Sequence, residues 1–184
     1  QLQDKLDHTY GRNRCRTSIG LYDFDLTKQP LSYTVARPSE VSFVPLGFEK
    51  SLSLREILKE HPKGVEYGSI VRGHSVYPIL FDCEKKVLSF PPIINSNDLG
   101  RVTEETKNIL IEVTGTVHET VLNTLKIVTL SLVDRGGKAY SATVHYHDGH
   151  REVTPSFDPG RMELDVEYAN KVLGLRLAAG QMRD

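Results

Sequence analysis

Asn108-Ile109-Leu110-Ile111-Glu112-Val113-Thr114-Gly115-Thr116 is the stretch whose reading decides the fold. Its first seven residues are mostly branched apolar side chains, which predicts a strand over 108–114 closed by Gly115. Alternation across a strand sends Ile109, Ile111 and Val113 one way and Leu110, Glu112 and Thr114 the other. The next residues switch to helical spacing. Val117, Val121, Leu125, Val128 and Leu132 share one face over 117–133, and Gly136-Gly137 ends the run. Strands and helices mix along the chain without a regular βαβ rhythm, so the expected class is α+β, a central β-sheet with helices packed on it.

Working outward, residues 1–10 carry Leu2 and Leu6 at helical spacing, and Gly11 stops that turn. Strands are expected over 18–22, 31–35 and 41–44, punctuated by Pro30, Pro38 and Pro45. Ser53 and Glu56 form a capping box ahead of Leu54, Ile57 and Leu58, a helix that Pro62 and Gly64 should end. Residues 76–81 and 87–90 form two strands joined through 82–86. Residues 139–147 alternate like a strand, and Asp148-Gly149 turns them back into 150–153. Composition shifts at Thr154-Pro155-Ser156. Beyond it a strand is expected over 161–164, then a helix over 166–173 capped by Asp165 and ended by Gly174. Two units follow: a domain over 1–153 and the incomplete beginning of another module over 154–184.

Hydrophobic residues make up 39% of the 184 and charged residues 26%, a globular balance. The apolar runs are too interrupted for a membrane helix, and residues 1–16 are too polar for a secretory signal. A net charge of −1 argues against a free-standing nucleic-acid binder. Basic residues do cluster at Lys5, Arg12, Arg14 and Arg16, a pattern more usual for a solvated face or a contact with another segment than for phosphate binding. Cys15 and Cys83 form no CxxC pair and read as reduced thiols.

Two stretches carry a resemblance. Leu88-Ser89-Phe90-Pro91-Pro92-Ile93-Ile94-Asn95-Ser96-Asn97 and the strand quoted first together resemble the paired motifs of the B3/B4 editing domain in phenylalanyl-tRNA synthetase β subunits. Their form is similar to the archaeal and eukaryotic branch. Thr9-Tyr10-Gly11-Arg12-Asn13-Arg14, Ser18-Ile19-Gly20-Leu21-Tyr22-Asp23, residues 60–64 and Tyr77-Pro78-Ile79 agree with it. Thr154-Pro155 and residues 167–175 resemble the opening of the next module, B5. The likeness covers nearly the whole chain. It implies that a first domain precedes Gln1, in keeping with the missing initial Met, and that the family's magnesium-binding acidic residues lie beyond Asp184.

The resemblance implies a cytoplasmic proofreading domain of a phenylalanine–tRNA ligase, one that hydrolyses tyrosine wrongly esterified to tRNA(Phe). The parent is expected to be an α2β2 assembly using ATP and Mg²⁺, with no cofactor or metal in this fragment and no membrane partner. The partners implied are the 3′ end of tRNA(Phe) and the ligase α subunit. The family's substrate-binding positions carry over to Leu80, Ser89, Glu112 and Thr114. Some archaeal members carry Asp where Glu112 stands. A site that hydrogen-bonds a substrate hydroxyl can reject the analogue lacking it by roughly 10⁴–10⁵, and Glu112 is the group expected to accept the tyrosine phenol proton. The bland alternative places Glu112 on a solvated sheet face.

Thr114, Gly115 and Thr116 are the catalytic candidates, with amides near Gly115 and Thr116 positioned to steady an oxyanion. Gly115 serves equally well as a plain strand-to-helix turn. Asn95 and Asn97 are candidates for the tRNA end, though Asn is common in turns. His145, His147 and His150 flank a hairpin turn, where exposed polar residues are ordinary, so no metal site is expected there. Ser89 has no His or Asp partner at recognisable spacing and is not expected to be a nucleophile. Water oriented by backbone groups and the tRNA ribose hydroxyl is the expected attacker. The alternative is a non-catalytic tRNA-positioning or subunit-packing module of the same ligase.

Overall fold

In the computed structural model, which describes residues 2–182, the chain opens with α1 (Leu2–His8) and β1 (Thr17–Asp23). Residue 1 of the expected first helix lies outside the described residues. Next come β2 (Ser32–Ala36), β3 (Ser42–Phe43) and β4 (Leu52–Ser53), then α2 (Leu54–Glu60) and α3 (Pro62–Tyr67). The middle of the chain supplies β5 (Tyr77–Phe81), β6 (Val87–Phe90), β7 (Ile94–Asn95), β8 (Ile109–Gly115) and α4 (His118–Val133). The hairpin β9 (Ala142–His145) and β10 (Arg151–Thr154) and the helix α5 (Val166–Leu173) complete it. The class is α+β.

The β-structure is divided rather than continuous. β2, β5, β6 and β7 form a four-stranded antiparallel sheet, while β1/β8, β3/β4 and β9/β10 are two-stranded. The β1/β8 ribbon meets the main sheet through side chains, not through edge hydrogen bonds. Tyr22 of β1 is buried with Leu80, Leu88 and Leu99, and Leu110 of β8 packs against them. A second core cluster, with Leu54 and Ile57 of α2, Tyr67 of α3 and Tyr77, Ile79 and Phe90 of the sheet, packs α2 and α3 onto it.

Ser53 caps α2 as its sequence requires: its hydroxyl accepts from the Glu56 amide at 3.3 Å, and the Ser53 amide donates to Glu56 Oε2 at 2.8 Å. Pro62 ends that helix but also begins α3, where its missing N–H costs nothing. Gly64, expected as a stop, lies inside α3. A Cβ there would fall 1.9 Å from the Ile57 carbonyl oxygen, so its bareness lets the two helices lie against each other.

α4 has the expected span but a different buried face. Thr120, Thr124, Val128 and Thr129 point inward, and of the expected stripe only Val128 is fully buried. Hydropathy selects the greasiest stripe, whereas a helix lying close over β8 and β1 needs short side chains beneath it. The strand expected over 161–164 does not form. No partner strand lies beside it, and Met162 is 94% exposed. The β9/β10 hairpin is exposed on both faces apart from Thr154 and the half-buried Glu152.

Candidate functional site: a buried phenol between two sheets

The β1/β8 register places Gly20 opposite Glu112, Ser18 opposite Thr114 and Tyr22 opposite Leu110. Directly paired residues share a face, so Ser18, Gly20 and Tyr22 look the same way as Thr114, Glu112 and Leu110. The main sheet brings Ser89 to that face, paired with Leu80 on one side and Asn95 on the other. Tyr22 therefore reaches diagonally across the ribbon. Its hydroxyl lies 2.8 Å from Glu112 Oε2 and 2.9 Å from Ser89 Oγ.

Gly20 makes this possible. A Cβ built there would stand 2.3 Å from the Tyr22 hydroxyl and 2.6 Å from Glu112 Oε2, so any side chain would break the contact. Tyr22 is fully buried and Ser89 nearly so. Glu112 Oε1 is also sealed from water, with no hydrogen-bond partner.

Burial pushes the Glu112 carboxyl up to about 7, against the hydrogen bond from Tyr22 and the influence of Thr114, with the negative charge of Asp7 adding to the rise. Desolvation likewise drives the Tyr22 phenol well above its ordinary value, reinforced by the neighbouring Glu112 charge. Tyr22 is thus a neutral hydroxyl throughout the physiological range. A neutral donor held against a carboxylate that titrates near neutrality is the electrostatic signature of the site.

A cleft of about 140 Å³ opens beside this group, lined by Ser18, Gly20, Ser89, Asn95 and Glu112, with residues 90–94 forming one wall. Arg14 and Lys63 stand at it too. Arg14 is not a solvated basic residue. Its Nη1 donates to the Pro92 and Ile93 carbonyls at 3.0 and 3.1 Å, its Nε pairs with Asp7 Oδ2 at 3.0 Å without the alignment of a hydrogen bond, and its guanidinium lies over the Tyr67 ring. Arg12, Asn13 and Arg14 are all left-handed, with φ of 49°, 53° and 65°. For each of the two arginines this costs about 1–2 kcal/mol, so the Arg14 contacts hold a strained turn that shapes the cleft wall.

Of the four substrate-binding candidates, Ser89 and Glu112 line the cleft and meet the same hydroxyl. Leu80 lies behind them in the core around Tyr22, and Thr114 meets Ser18 hydroxyl to hydroxyl at 3.2 Å. Asn95 lines the cleft, and its amide ties β7 to the Leu21 carbonyl at 3.2 Å. Asn97 lies outside the cleft, its backbone amide bound to the Val44 carbonyl.

Gly115 and Thr116 do not line the cleft. The Thr116 amide donates to the Arg16 carbonyl at 3.0 Å, which removes it as an oxyanion donor. Gly115 is a packing glycine: a Cβ would fall 2.1 Å from the Arg16 carbonyl oxygen and 2.8 Å from Val121. His145, His147 and His150 sit on the exposed hairpin, and no group of three His, Cys, Asp or Glu able to hold a metal occurs among the described residues. No helix among them is long and apolar enough to cross a membrane.

Gly20, Tyr22 and Arg14 are the site residues that sequence reasoning missed. A glycine two positions before a tyrosine, inside a strand, was the available signal. Its meaning depended on the register with β8.

No protein-family profile matches the chain. Curated relatives do. The phenylalanine–tRNA ligase β subunit of Thermococcus gammatolerans is 45% identical over 183 residues, covering all of this chain and 32% of the relative. That of Thermofilum pendens is 45% identical over 177 residues, 96% of this chain and 31% of the relative. The crystal structure of an N-terminal fragment of the Pyrococcus horikoshii phenylalanyl-tRNA synthetase β subunit superimposes with a TM-score of 0.94 at 43% identity, covering all of this chain and 52% of that one. The chain belongs to the phenylalanine–tRNA ligase β-subunit family. It spans about a third of the length of these curated ligase β subunits, and its mixed α/β architecture is that of the N-terminal β-subunit fragment.

Proposed function

We propose that this chain is the proofreading domain of its ligase, hydrolysing tyrosine misattached to tRNA(Phe) and sparing phenylalanine. One observation carries the reading: Glu112 and Ser89 meet at a phenol, and Glu112 keeps a second, buried oxygen without a partner on a residue lining the cleft. A substrate tyrosine donates its phenolic proton to Oε1. That oxygen is shut off from water in the empty cleft, so the ring must part the side chains over it, and the hydrogen bond then forms in a dry setting. Phenylalanine would leave that acceptor unpaired, forgoing about 1–3 kcal/mol that the tyrosyl hydroxyl gains, and more when the acceptor is charged. Discrimination by a buried polar group reaches roughly 10⁴–10⁵ at its best.

The hydrolysis itself adds water to the ester carbonyl carbon, breaks the bond to the ribose oxygen, and returns the proton to that hydroxyl. Ser89 is committed to the Tyr22 phenol and does not act as nucleophile. Water positioned by the ribose hydroxyl of the tRNA end performs the attack. In this proposal the two units meet at residue 154, the tRNA 3′ end and the α subunit are the partners in the cytoplasm, and the ATP- and Mg²⁺-dependent charging reaction belongs to the rest of the assembly.

The test is deacylation of Tyr-tRNA(Phe) and Phe-tRNA(Phe) by the complete ligase carrying native Glu112, Glu112→Ala or Glu112→Gln. The Ala variant is expected to lose its preference for the tyrosyl ester. If it edits with unchanged preference, Glu112 is not the selector. If the native enzyme spares the tyrosyl ester, the non-catalytic tRNA-positioning reading replaces this one.

A further inference from the structure

The two oxygens of Glu112 have different fates. Oε2 accepts from Tyr22 at 2.8 Å, and Oε1 is buried without a partner. A carboxylate can take about four hydrogen bonds, so the difference lies in what the fold sets beside each oxygen. Tyr22 is a fixed post, fully buried among Leu80, Leu88 and Leu99. Its hydroxyl donates toward Glu112 Oε2 at 2.8 Å and toward Ser89 Oγ at 2.9 Å, so the one phenolic proton lies between the carboxylate and the serine.

We propose that Tyr22 is a specificity-positioning residue, which claims Oε2 and thereby reserves Oε1 for a single substrate hydroxyl. The proposal rests on the proofreading function and deepens it. Without the Tyr22 hydroxyl nothing holds Oε2 in place, and the carboxylate is free to turn. A substrate phenol then meets a carboxylate whose accepting oxygen is no longer fixed. Gly20 belongs to the same device, since it alone leaves room for the diagonal contact.

Other charged or titratable groups act on Glu112. Asp7 of α1 raises it, Tyr33 of β2 feels its charge, and Arg14 and Lys63 stand at the same cleft. The test therefore follows the Glu112 carboxyl itself as well as the reaction. In the complete ligase, Tyr22→Phe keeps the ring and removes only the hydroxyl. The ratio of tyrosyl to phenylalanyl ester hydrolysis is expected to fall by roughly tenfold or more, through the KM for the tyrosyl ester rather than kcat, which equals the loss of about one buried hydrogen bond. The pH at which discrimination is half lost, and the midpoint of the Glu112 carboxyl followed by ¹³C NMR in the same protein, are both expected to move upward, because the Tyr22 hydrogen bond is the larger of the two influences that lower that group, Thr114 supplying the other. A variant weakened only in its packing would leave both midpoints in place.

An unchanged ratio and unchanged midpoints overturn the proposal. If Glu112→Ala loses selectivity while Tyr22→Phe retains it, only the role of Tyr22 falls. If both retain it, the proofreading reading falls with it. Should Tyr22→Phe not accumulate, Ser89→Ala leaves Glu112 as the sole acceptor of the Tyr22 hydroxyl. It is expected to move the Glu112 midpoint downward, and an unmoved midpoint overturns the proposal equally.

Discussion

Glu112→Gln is expected to flatten the pH dependence of this chain's stability between about pH 4.5 and 8. Burial raises the carboxyl from its ordinary value of 4.5 to about 7 in the folded protein. The fold therefore prefers the neutral acid. The stabilising contribution is full below the unfolded value and is lost as pH rises through about 7. A shift of this size corresponds to about 3 kcal/mol of differential stability, at about 1.4 kcal/mol per pH unit. Gln has the same shape and cannot ionise, so this dependence should vanish while background titrations remain. Urea unfolding at several pH values, native against Glu112→Gln, isolates the effect as a difference of differences. Parallel curves for the two proteins would show that Glu112 is well solvated, and the reasoning about a dry acceptor at Oε1 would fail. A dependence of opposite sign would mean that the pairing with Tyr22 outweighs burial.

Two further substitutions probe the surroundings. Gly20→Ala places a Cβ 2.3 Å from the Tyr22 hydroxyl, so it should separate Tyr22 from Glu112, cost about 1–3 kcal/mol in unfolding free energy through the unsatisfied groups left behind, and abolish tyrosyl selectivity; wild-type behaviour in both measurements would contradict the packing described. Arg14→Lys gives up the fork that holds the Pro92 and Ile93 carbonyls and the Asp7 carboxylate, and a loss of about 3 kcal/mol is expected because Asp7 stays buried with a poorer partner. A change below about 0.5 kcal/mol, the usual range for an exposed residue, would show that the left-handed turn at Arg12, Asn13 and Arg14 needs no anchor.

Local signals were read from neighbouring residues and held where the physics is local. The capping box at Ser53 and Glu56, the αL glycine ending α5 at Gly174, and the strand-then-helix order of β8 and α4 each depend on a few adjacent residues. Signals that needed a partner were lost. The strand expected over 161–164 had the right residues but no ladder to join. The inward face of α4 followed the closeness of β8 and β1 rather than hydropathy, which is why threonines fill it.

The same division runs through the site. By itself the sequence determined that Glu112 shares a strand face with Thr114, because alternation is intrinsic to an extended backbone. It also placed Ser89 in the motif that builds the cleft wall. Only the tertiary structure decided that Gly20 lies opposite Glu112 and that Tyr22 crosses between them. It alone decided that a phenol of the chain occupies Oε2 and leaves Oε1 bare. Register between strands about ninety residues apart is fixed by side chains packing across two sheets, and no local spacing in the chain encodes that distance.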